Sequence, residues 1–123
     1  MSRAFPTTPA AVERKIVQRI PIEGTDEELQ MTLVTLPPGA ESPPHIHPVE
    51  GMVYIIEGTV ESQYVGGGLE RYEAGDSYLD QKDRVHQIFR NTSSIAPLRF
   101  LIACKIRNGV SFKQEIPQTP QEL

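Results

Sequence analysis

The sequence has no tryptophan, a single cysteine and no long apolar run. Because Cys104 has no partner in the chain, no internal disulfide can form, which fits a reducing cytoplasm. No apolar run approaches the ~20 residues that a membrane-spanning helix needs. The N-terminal stretch also lacks the apolar segment of a secretory signal. We therefore expect a cytoplasmic protein with no membrane partner.

Concentrated positive charge is missing as well. The chain has 12 Lys and Arg residues against 16 Asp and Glu residues, a net charge of −4, and its longest basic run is Arg14-Lys15. Because phosphate backbones are bound by dense basic surfaces, we expect no nucleic-acid partner. The length of 123 residues and the hydrophobic fraction of 38% predict one domain with a small core.

Eleven prolines and nine glycines divide the chain into short segments. Within these segments apolar and polar residues alternate, as Leu29, Met31 and Leu33 alternate with Gln30 and Thr32. This alternation is typical of half-buried β-strands. Strands are predicted at residues 14–22, 29–33, 52–57, 59–65, 77–80, 86–90 and 98–106. Such closely spaced strands predict an all-β sandwich or a small barrel.

The strand pattern also predicts the domain boundaries. Residues 1–12 contain proline and threonine and are expected to form a loose N-terminal arm. Residues 13–112 hold the predicted strands and are expected to form the barrel. Residues 113–123 include two further prolines and are expected to form an extended C-terminal tail.

The three histidines are the strongest functional signal in the chain. His45 and His47 are separated by one residue, so a strand would place both imidazoles on one face. Two adjacent imidazoles suit a divalent transition metal such as Fe, Ni, Zn, Mn or Cu. A barrel that returns on itself would bring His86, which opens a predicted strand, to the same place. The alternative for the pair is a polar surface feature with no ligand.

The residues around the histidine pair resemble the first motif of the cupin superfamily. That motif runs Gly, five residues, His-x-His, three or four residues, Glu, six residues, Gly; Gly39, the histidine pair and Gly58 match it. The glutamate of the family, counted back from Gly58, falls on Gly51 in this chain, and Glu50 lies one residue early. The resemblance is therefore carried by the histidines and broken at the carboxylate.

A second stretch resembles the second cupin motif less closely. Gly75 and His86 match its first glycine and its histidine, and Asn91 lies one residue later than the motif places an asparagine. The proline and glycine of the motif are replaced by Gln81 and Asp83. The match is thus restricted to Gly75 and His86, but it selects the same third histidine as the residue argument.

The resemblance implies an all-β, single-domain cupin-type jelly-roll barrel, also called a double-stranded β-helix. It implies that His45, His47 and His86 bind one divalent transition metal. Without the glutamate, three neutral imidazoles leave the charge of the metal uncompensated and at least one coordination position open, as in catalytic metal sites. Anions, enolates and β-dicarbonyls would supply the missing negative charge.

Four polar residues are candidates for a fourth ligand or an acid/base group. Glu50 is nearest in sequence, although strand alternation turns it away from His47 unless Pro48 breaks the alternation. The other candidates are Glu61 and Gln63, which share one face of a predicted strand, and Asp80, which precedes His86 by six residues. For each of them the alternative is an ordinary solvated residue.

We expect a metal-dependent enzyme that acts on a small organic substrate of carbonyl or enol type within the barrel. The reaction would be a dioxygenation, or an isomerisation, cyclisation or decarboxylation. The alternatives are a non-catalytic module that binds a metal or small ligand, and a barrel that has lost its metal. Three aromatic residues are candidates for the pocket wall or for ordinary packing: Tyr54, Tyr78 and Phe89. Cupins often pair N-terminal or edge strands, so we expect a homodimer formed through residues 14–22.

Overall fold

The computed structural model describes residues 11–116, which contain ten β-strands and no helix. The strands are β1 (Glu13–Pro21), β2 (Glu27–Leu36), β3 (His45–Ile46), β4 (Gly51–Glu57), β5 (Thr59–Tyr64), β6 (Glu70–Glu73), β7 (Ser77–Asp80), β8 (His86–Asn91), β9 (Leu98–Arg107) and β10 (Gln114–Glu115). Every strand predicted from the sequence is present. Three short strands, β3, β6 and β10, were not predicted. Strands β3 and β10 have only two residues each, which is too few to show a periodic pattern.

The strands form two five-stranded antiparallel sheets. The first sheet has the order β1-β2-β9-β4-β7, and the second has the order β10-β3-β8-β5-β6. Chain neighbours such as β4 and β5 lie in different sheets, so the chain crosses repeatedly between the two layers. The expected all-β jelly-roll barrel is confirmed. No helix within residues 11–116 is long and apolar enough to cross a membrane.

The core lies between the two sheets. Alternate residues of β4 and β9 point inward, and both sheets contribute to a single apolar cluster. Four residues at one end of the barrel are completely shielded from solvent: Leu36, Ile55, Val60 and Leu98. We call these four the apolar end. Burying a large aliphatic side chain stabilises a fold by about 1.5–3 kcal/mol, so the apolar end is a main source of stability.

Strand β2 alternates as predicted, but its polar residues face the interior. Gln30 and Thr32 are buried, whereas Leu29 and Met31 lie on the outer face and are largely exposed. The buried Glu28 carboxylate is compensated, because it accepts hydrogen bonds from Arg19 Nε at 2.8 Å and Gln30 Nε2 at 2.8 Å. The interior is therefore polar along this part of the first sheet.

The two ends of the described chain lie at the margins of the sheets. Strand β1 is an edge strand of the first sheet, and all nine of its residues are exposed. The homodimer expected through residues 14–22 stays a prediction. Strand β10 lies within the segment expected to be a tail, and it pairs with β3. Residues 1–10 and 117–123, which hold most of the expected arm and tail, lie outside the described residues.

Candidate metal centre

The structure brings the three histidines together inside the barrel. His45 in β3 and His86 in β8 face each other across an antiparallel pair, and His47 follows β3 directly. The ring of His45 lies 4.9 Å from the ring of His47 and 4.9 Å from that of His86, between centroids. One ring nitrogen of each lies within 4.8 Å of those of the others, and all three residues are buried. This cluster could hold a metal ion.

Hydrogen bonds to main-chain carbonyls orient the first two rings. His45 Nδ1 donates to the carbonyl oxygen of Pro43 at 2.7 Å. His47 Nδ1 donates to the carbonyl oxygen of Phe112 at 3.0 Å. Because a carbonyl only accepts, both rings carry their proton on Nδ1 and leave the lone pair of Nε2 free. Metal-binding histidines are commonly held in this way.

His86 is oriented by a side chain and a stacked ring. Its Nε2 lies 2.7 Å from Ser62 Oγ, and its ring is stacked on Tyr64 with 4.1 Å between centroids. When Nε2 donates to the serine hydroxyl, the lone pair lies on Nδ1. Within residues 11–116, His86 Nδ1 and His47 Nε2 are buried and have no hydrogen-bond partner. Since buried polar atoms are rarely left without a partner, these two atoms fit the donor set of a metal site.

Burial keeps the three imidazoles neutral. Desolvation lowers the pKa of His45 to about 4 and that of His47 to about 4. Desolvation, with the nearby His45 and His47, lowers the pKa of His86 to about 2. Neutral imidazole is the form that binds a metal ion, so the rings are ready for coordination at neutral pH without losing a proton.

Asp80 is the carboxylate beside the histidines. Its Oδ2 lies 3.6 Å from His47 Nε2, and its Oδ1 lies 3.8 Å from His86 Nδ1. Burial raises the pKa of Asp80 to about 6, although the Tyr64 hydroxyl, which donates to Oδ1 at 2.7 Å, acts in the opposite direction. The carboxyl group is therefore easier to protonate than that of an exposed aspartate.

Asp80 lies directly opposite Gly51 in the pairing of β7 with β4. Both residues are buried, so they occupy one inward-facing row of the first sheet. Gly51 is the position at which the resemblance places the family glutamate. A carboxylate is thus present on the neighbouring strand, at the same level of the barrel.

Phe112 fills the space next to Gly51. A Cβ atom at position 51 would lie 2.5 Å from Phe112 Cζ and 3.0 Å from Ile102 Cγ2. The Phe112 ring also stacks on His47, with 4.2 Å between centroids. Any side chain at residue 51 would therefore displace Phe112, which orients His47 through its carbonyl oxygen.

The other three candidates for a fourth ligand lie elsewhere. Glu50 is exposed, and Glu61 is paired with Arg90, whose Nη2 lies 2.8 Å from its carboxylate. Gln63 donates a hydrogen bond to the carbonyl of Gly67 at 2.9 Å. Glu61 and Gln63 share one face of β5, as predicted, but the neighbouring Ser62 is the one that faces the histidines. Of the four candidates, Asp80 alone is brought to the cluster.

The three aromatic candidates for the pocket wall have different positions. Phe89 is buried and lines the small cavity beside the histidines. Tyr78 is on the inner face of β7, stacked on Tyr72 at 4.3 Å between centroids. Tyr54 is half-exposed on the outer face of β4, so it is not part of the pocket. This position corrects the expectation for Tyr54, since the inner row of β4 contains residues 51, 53 and 55.

Several site residues were not identified from the sequence. Ser62 could have been found as an inward-facing neighbour of Glu61, had the facing of β5 been known. The sequence predicts Phe112 at the end of the barrel and Lys113 in the tail. It predicts Arg14 in a dimer contact. Nothing in their local sequence indicates that the folded chain carries them to the histidines.

Two cavities lie in series at the site. The inner cavity, beside the histidines and Asp80, has a volume of about 20 Å³, which is enough for about one water molecule. An open hollow of about 630 Å³ lies outside it. Arg14 and Lys113 line both cavities. The two cavities therefore adjoin at these two side chains.

Comparison with known proteins gives the family. The model of the cupin domain matches residues 32–104, which is more than half of the chain. No curated protein sequence matches.

Solved structures show the same fold. A conserved protein with a double-stranded β-helix domain from Klebsiella pneumoniae is 21% identical, with a TM-score of 0.64, over 94% of this chain and 100% of that one. The polyketide cyclase RemF from Streptomyces resistomycificus is 20% identical, with a TM-score of 0.65, and the match covers 98% of this chain and 88% of that one. The DMSP lyase DddQ from Ruegeria pomeroyi is 24% identical, with a TM-score of 0.60, and the match covers 80% of this chain and 48% of that one. Together with the family match and the three converging histidines, these likenesses lead to one conclusion: the chain belongs to the cupin family.

Proposed function

We propose that this cupin is a metal-dependent enzyme that acts on a small organic molecule of carbonyl or enol type. The observation that carries the proposal is the convergence of three buried, neutral imidazoles with ring nitrogens within 4.8 Å of one another. Divalent first-row metals bind imidazole at about 2.0–2.1 Å, and a modest closing of the three rings would bring them to that distance. A purely structural barrel would gain nothing from leaving such polar atoms unpartnered in its interior.

His45, His47 and His86 would hold the metal, and a bound divalent ion would polarise a carbonyl or enolate oxygen of the substrate. Asp80 would move the proton, because its carboxyl group lies beside both His47 and His86. Tyr64 would hold the carboxyl group in place through its hydroxyl. Phe112 and Phe89 would keep bulk water away from the reacting centre.

This arrangement favours proton-transfer chemistry, namely isomerisation, cyclisation or decarboxylation, over dioxygenation. A buried acid/base group is needed for the first three reactions, and Asp80 supplies one. Two of the similar structures are named as a polyketide cyclase and a DMSP lyase, so proteins of this fold include a cyclase and a lyase. The likeness to those two proteins extends to the fold, and the proposal for this chain depends on Asp80.

The proposal is tested by metal analysis and activity measurements together. We expect about one metal ion per chain, and turnover of 1,3-dicarbonyl or polyketide-like compounds with Fe(II), Ni(II) or Zn(II). The Asp80→Asn variant should keep the metal and lose most of the turnover, by about 10²–10⁴-fold. Glu61→Gln, which removes a carboxylate outside the site, is the matched control. A wild-type protein without bound metal, or an Asp80→Asn variant with full turnover, would contradict the proposal.

One observation favours the alternative of a non-catalytic module that binds a metal or small ligand. The inner cavity of about 20 Å³ holds about one water molecule and no organic substrate unless the side chains around it move. If the module has no catalytic function, the protein should bind a metal with all three histidines and show no turnover with any metal or substrate tested. Catechol-like compounds under oxygen complete that test, because they probe dioxygenation.

A further inference from the structure

The passage from the outer hollow to the histidines is bordered by two cationic side chains. Arg14 comes from β1, near the start of the described chain, and Lys113 comes from the segment before β10, near its end. Strand β10 is hydrogen-bonded to β3, and Glu115 lies opposite His45 in that pairing. The segment that carries Lys113 is therefore fixed to the strand that carries His45.

Three carboxylates lie near this passage, because Glu41 and Glu115 line the outer hollow and Asp80 lines the inner cavity. Among the described residues, only Glu115 forms a salt bridge with one of the two cations. Lys113 has only 11% of its side chain exposed, yet its Nζ lies 3.5 Å from the carboxylate of Glu115, which is itself 60% exposed. Its other polar contact is Ser42 Oγ at 3.3 Å. Arg14 forms no salt bridge with any residue in the range 11–116. Asp80 is the only carboxylate among the described residues that line the inner cavity, and a divalent metal ion would add further positive charge.

We propose that Arg14 and Lys113 form an anion gate between the outer hollow and the metal centre, and that the substrate carries a carboxylate. This inference rests on the proposed function, and it names the substrate class of the same site. The planar guanidinium of Arg14 can bind a carboxylate through two parallel hydrogen bonds, and the Lys113 ammonium adds a nearby point charge. The reacting end of the substrate would then point inward to the histidines.

The size of the two cavities agrees with a carboxylate held at the passage. The outer hollow of about 630 Å³ is within the ~300–1,000 Å³ that ligand pockets usually have. The inner cavity of about 20 Å³ has room for about one water-sized group beside the histidines. A short organic acid with a carbonyl or enol oxygen near its carboxylate satisfies both dimensions, because its charged end stays between Arg14 and Lys113.

The test uses malonate as the probe and the whole protein loaded with cobalt(II). Cobalt binding is measured first, by visible absorption, and malonate is then titrated by calorimetry. We expect Arg14→Gln and Lys113→Gln to bind cobalt like the wild type and to bind malonate about tenfold more weakly or worse. Arg14→Lys, which keeps the charge but not the fork geometry, should lie between wild type and Arg14→Gln.

Lys15→Gln is the matched control, because Lys15 neighbours Arg14 on β1 but pairs with Leu33 on the outer face of the sheet. It removes the same charge and should leave malonate binding unchanged. Malonamide, the neutral analogue, should bind all variants alike. Equal malonate binding by wild type, Arg14→Gln and Lys113→Gln, or no malonate binding by the wild type, would overturn the anion gate while the metal centre stands.

Failure of the proposed function gives a different result. If the wild type binds no cobalt, the metal centre is wrong, and malonate titration of the metal-free protein still decides whether the gate exists. A tenfold difference between Arg14→Gln and Lys15→Gln in that titration would support the gate. Identical affinities would overturn it.

Discussion

The interior of this barrel has two ends that differ in chemistry although the same strands build both. At the apolar end, Leu36, Ile55, Val60 and Leu98 are completely shielded from solvent. At the other end, which we call the metal end, the polar residues His45, His47, His86 and Asp80 are buried beside apolar residues such as Ile106 and Phe112. The inner row of β4 begins with Gly51 at the metal end and reaches Ile55 at the apolar end.

The difference shows how stability and function are separated along a strand. Apolar residues that interlock at one end stabilise the fold, and this leaves the other end free to bury polar groups that a core would not tolerate. Each polar group at the metal end is held by a specific contact, such as Ser62 with His86 or Tyr64 with Asp80. We therefore expect variants at the two ends to have different effects on metal binding and on stability.

The largest effect should follow from removing a histidine. His86→Ala is expected to weaken metal binding at least a hundredfold, since it removes one of three ligands, whereas loss of a group that merely orients a ligand costs about 10–100-fold. The metal-free variant should still give the circular dichroism spectrum of a β-barrel and unfold cooperatively. Metal content and a urea titration measure the two properties. Full metal content in this variant would show that the metal end is assigned wrongly.

The opposite pattern is expected at the apolar end. Ile55→Ala should lower the free energy of unfolding by about 2–5 kcal/mol, because it leaves a cavity in a completely buried cluster. Its stoichiometry of bound cobalt should equal that of the wild type. Urea denaturation and cobalt titration at a temperature where the variant is folded check both. A loss of metal sites from the folded variant would mean that the two ends are coupled.

A smaller effect is expected at Gly51, which lies at the metal end. Gly51→Glu restores the carboxylate of the family but places a Cβ atom 2.5 Å from Phe112 Cζ. We expect it to lower the free energy of unfolding by about 1–3 kcal/mol through overpacking. Adding Phe112→Ala removes the obstructing ring, so the double variant should lose less stability than the two single changes combined. Additive effects in this double-mutant cycle would show that Phe112 does not occupy the space.

The pH dependence of the metal-free protein tests the same comparison through the charges at the metal end. The pKa values of His45 and His47 are about 4 in the folded protein, below the ordinary value of 6.5, so the unfolded chain binds more protons between these values. The free energy of unfolding should therefore fall as the pH is lowered from about 6.5 to about 4. Asp80, with its pKa raised to about 6, has the opposite sign, but it is one group against three imidazoles.

Urea titrations across this pH range measure the slope. Ile55→Ala should keep the slope of the wild type, because the apolar end holds no titrating group, and His86→Ala should reduce it. A stability that stays constant or rises as the pH falls would contradict the burial of three neutral imidazoles.

The sequence predicted the fold and the three histidines because both leave local patterns. Alternation in β9 and the spacing of the turns predict strands, and two histidines one residue apart on a strand share a face. The facing of a strand is harder to predict: Leu29 and Met31 lie outside because the barrel interior at β2 is polar. The roles of Phe112 and Lys113 could not be predicted, since they depend on the pairing of β10 with β3 across about 70 residues of chain.

The same distinction applies to the fourth candidate ligand. The sequence could not rank the four candidates Glu50, Glu61, Gln63 and Asp80. Local sequence does not indicate which strands are neighbours in the sheet or which residues lie opposite one another. The pairing of β7 with β4 distinguishes them by placing Asp80 opposite Gly51. Long-range register, which the sequence does not show, thus determines which carboxylate is available to the site.

The most direct test of the central claim is a crystal structure of the cobalt-loaded protein with anomalous diffraction at the cobalt edge. We expect one anomalous peak inside the barrel, at about 2.0–2.3 Å from a ring nitrogen of each of His45, His47 and His86. A strong peak at another place, or a peak bound by two of these histidines with the ring of the third turned away, would contradict it.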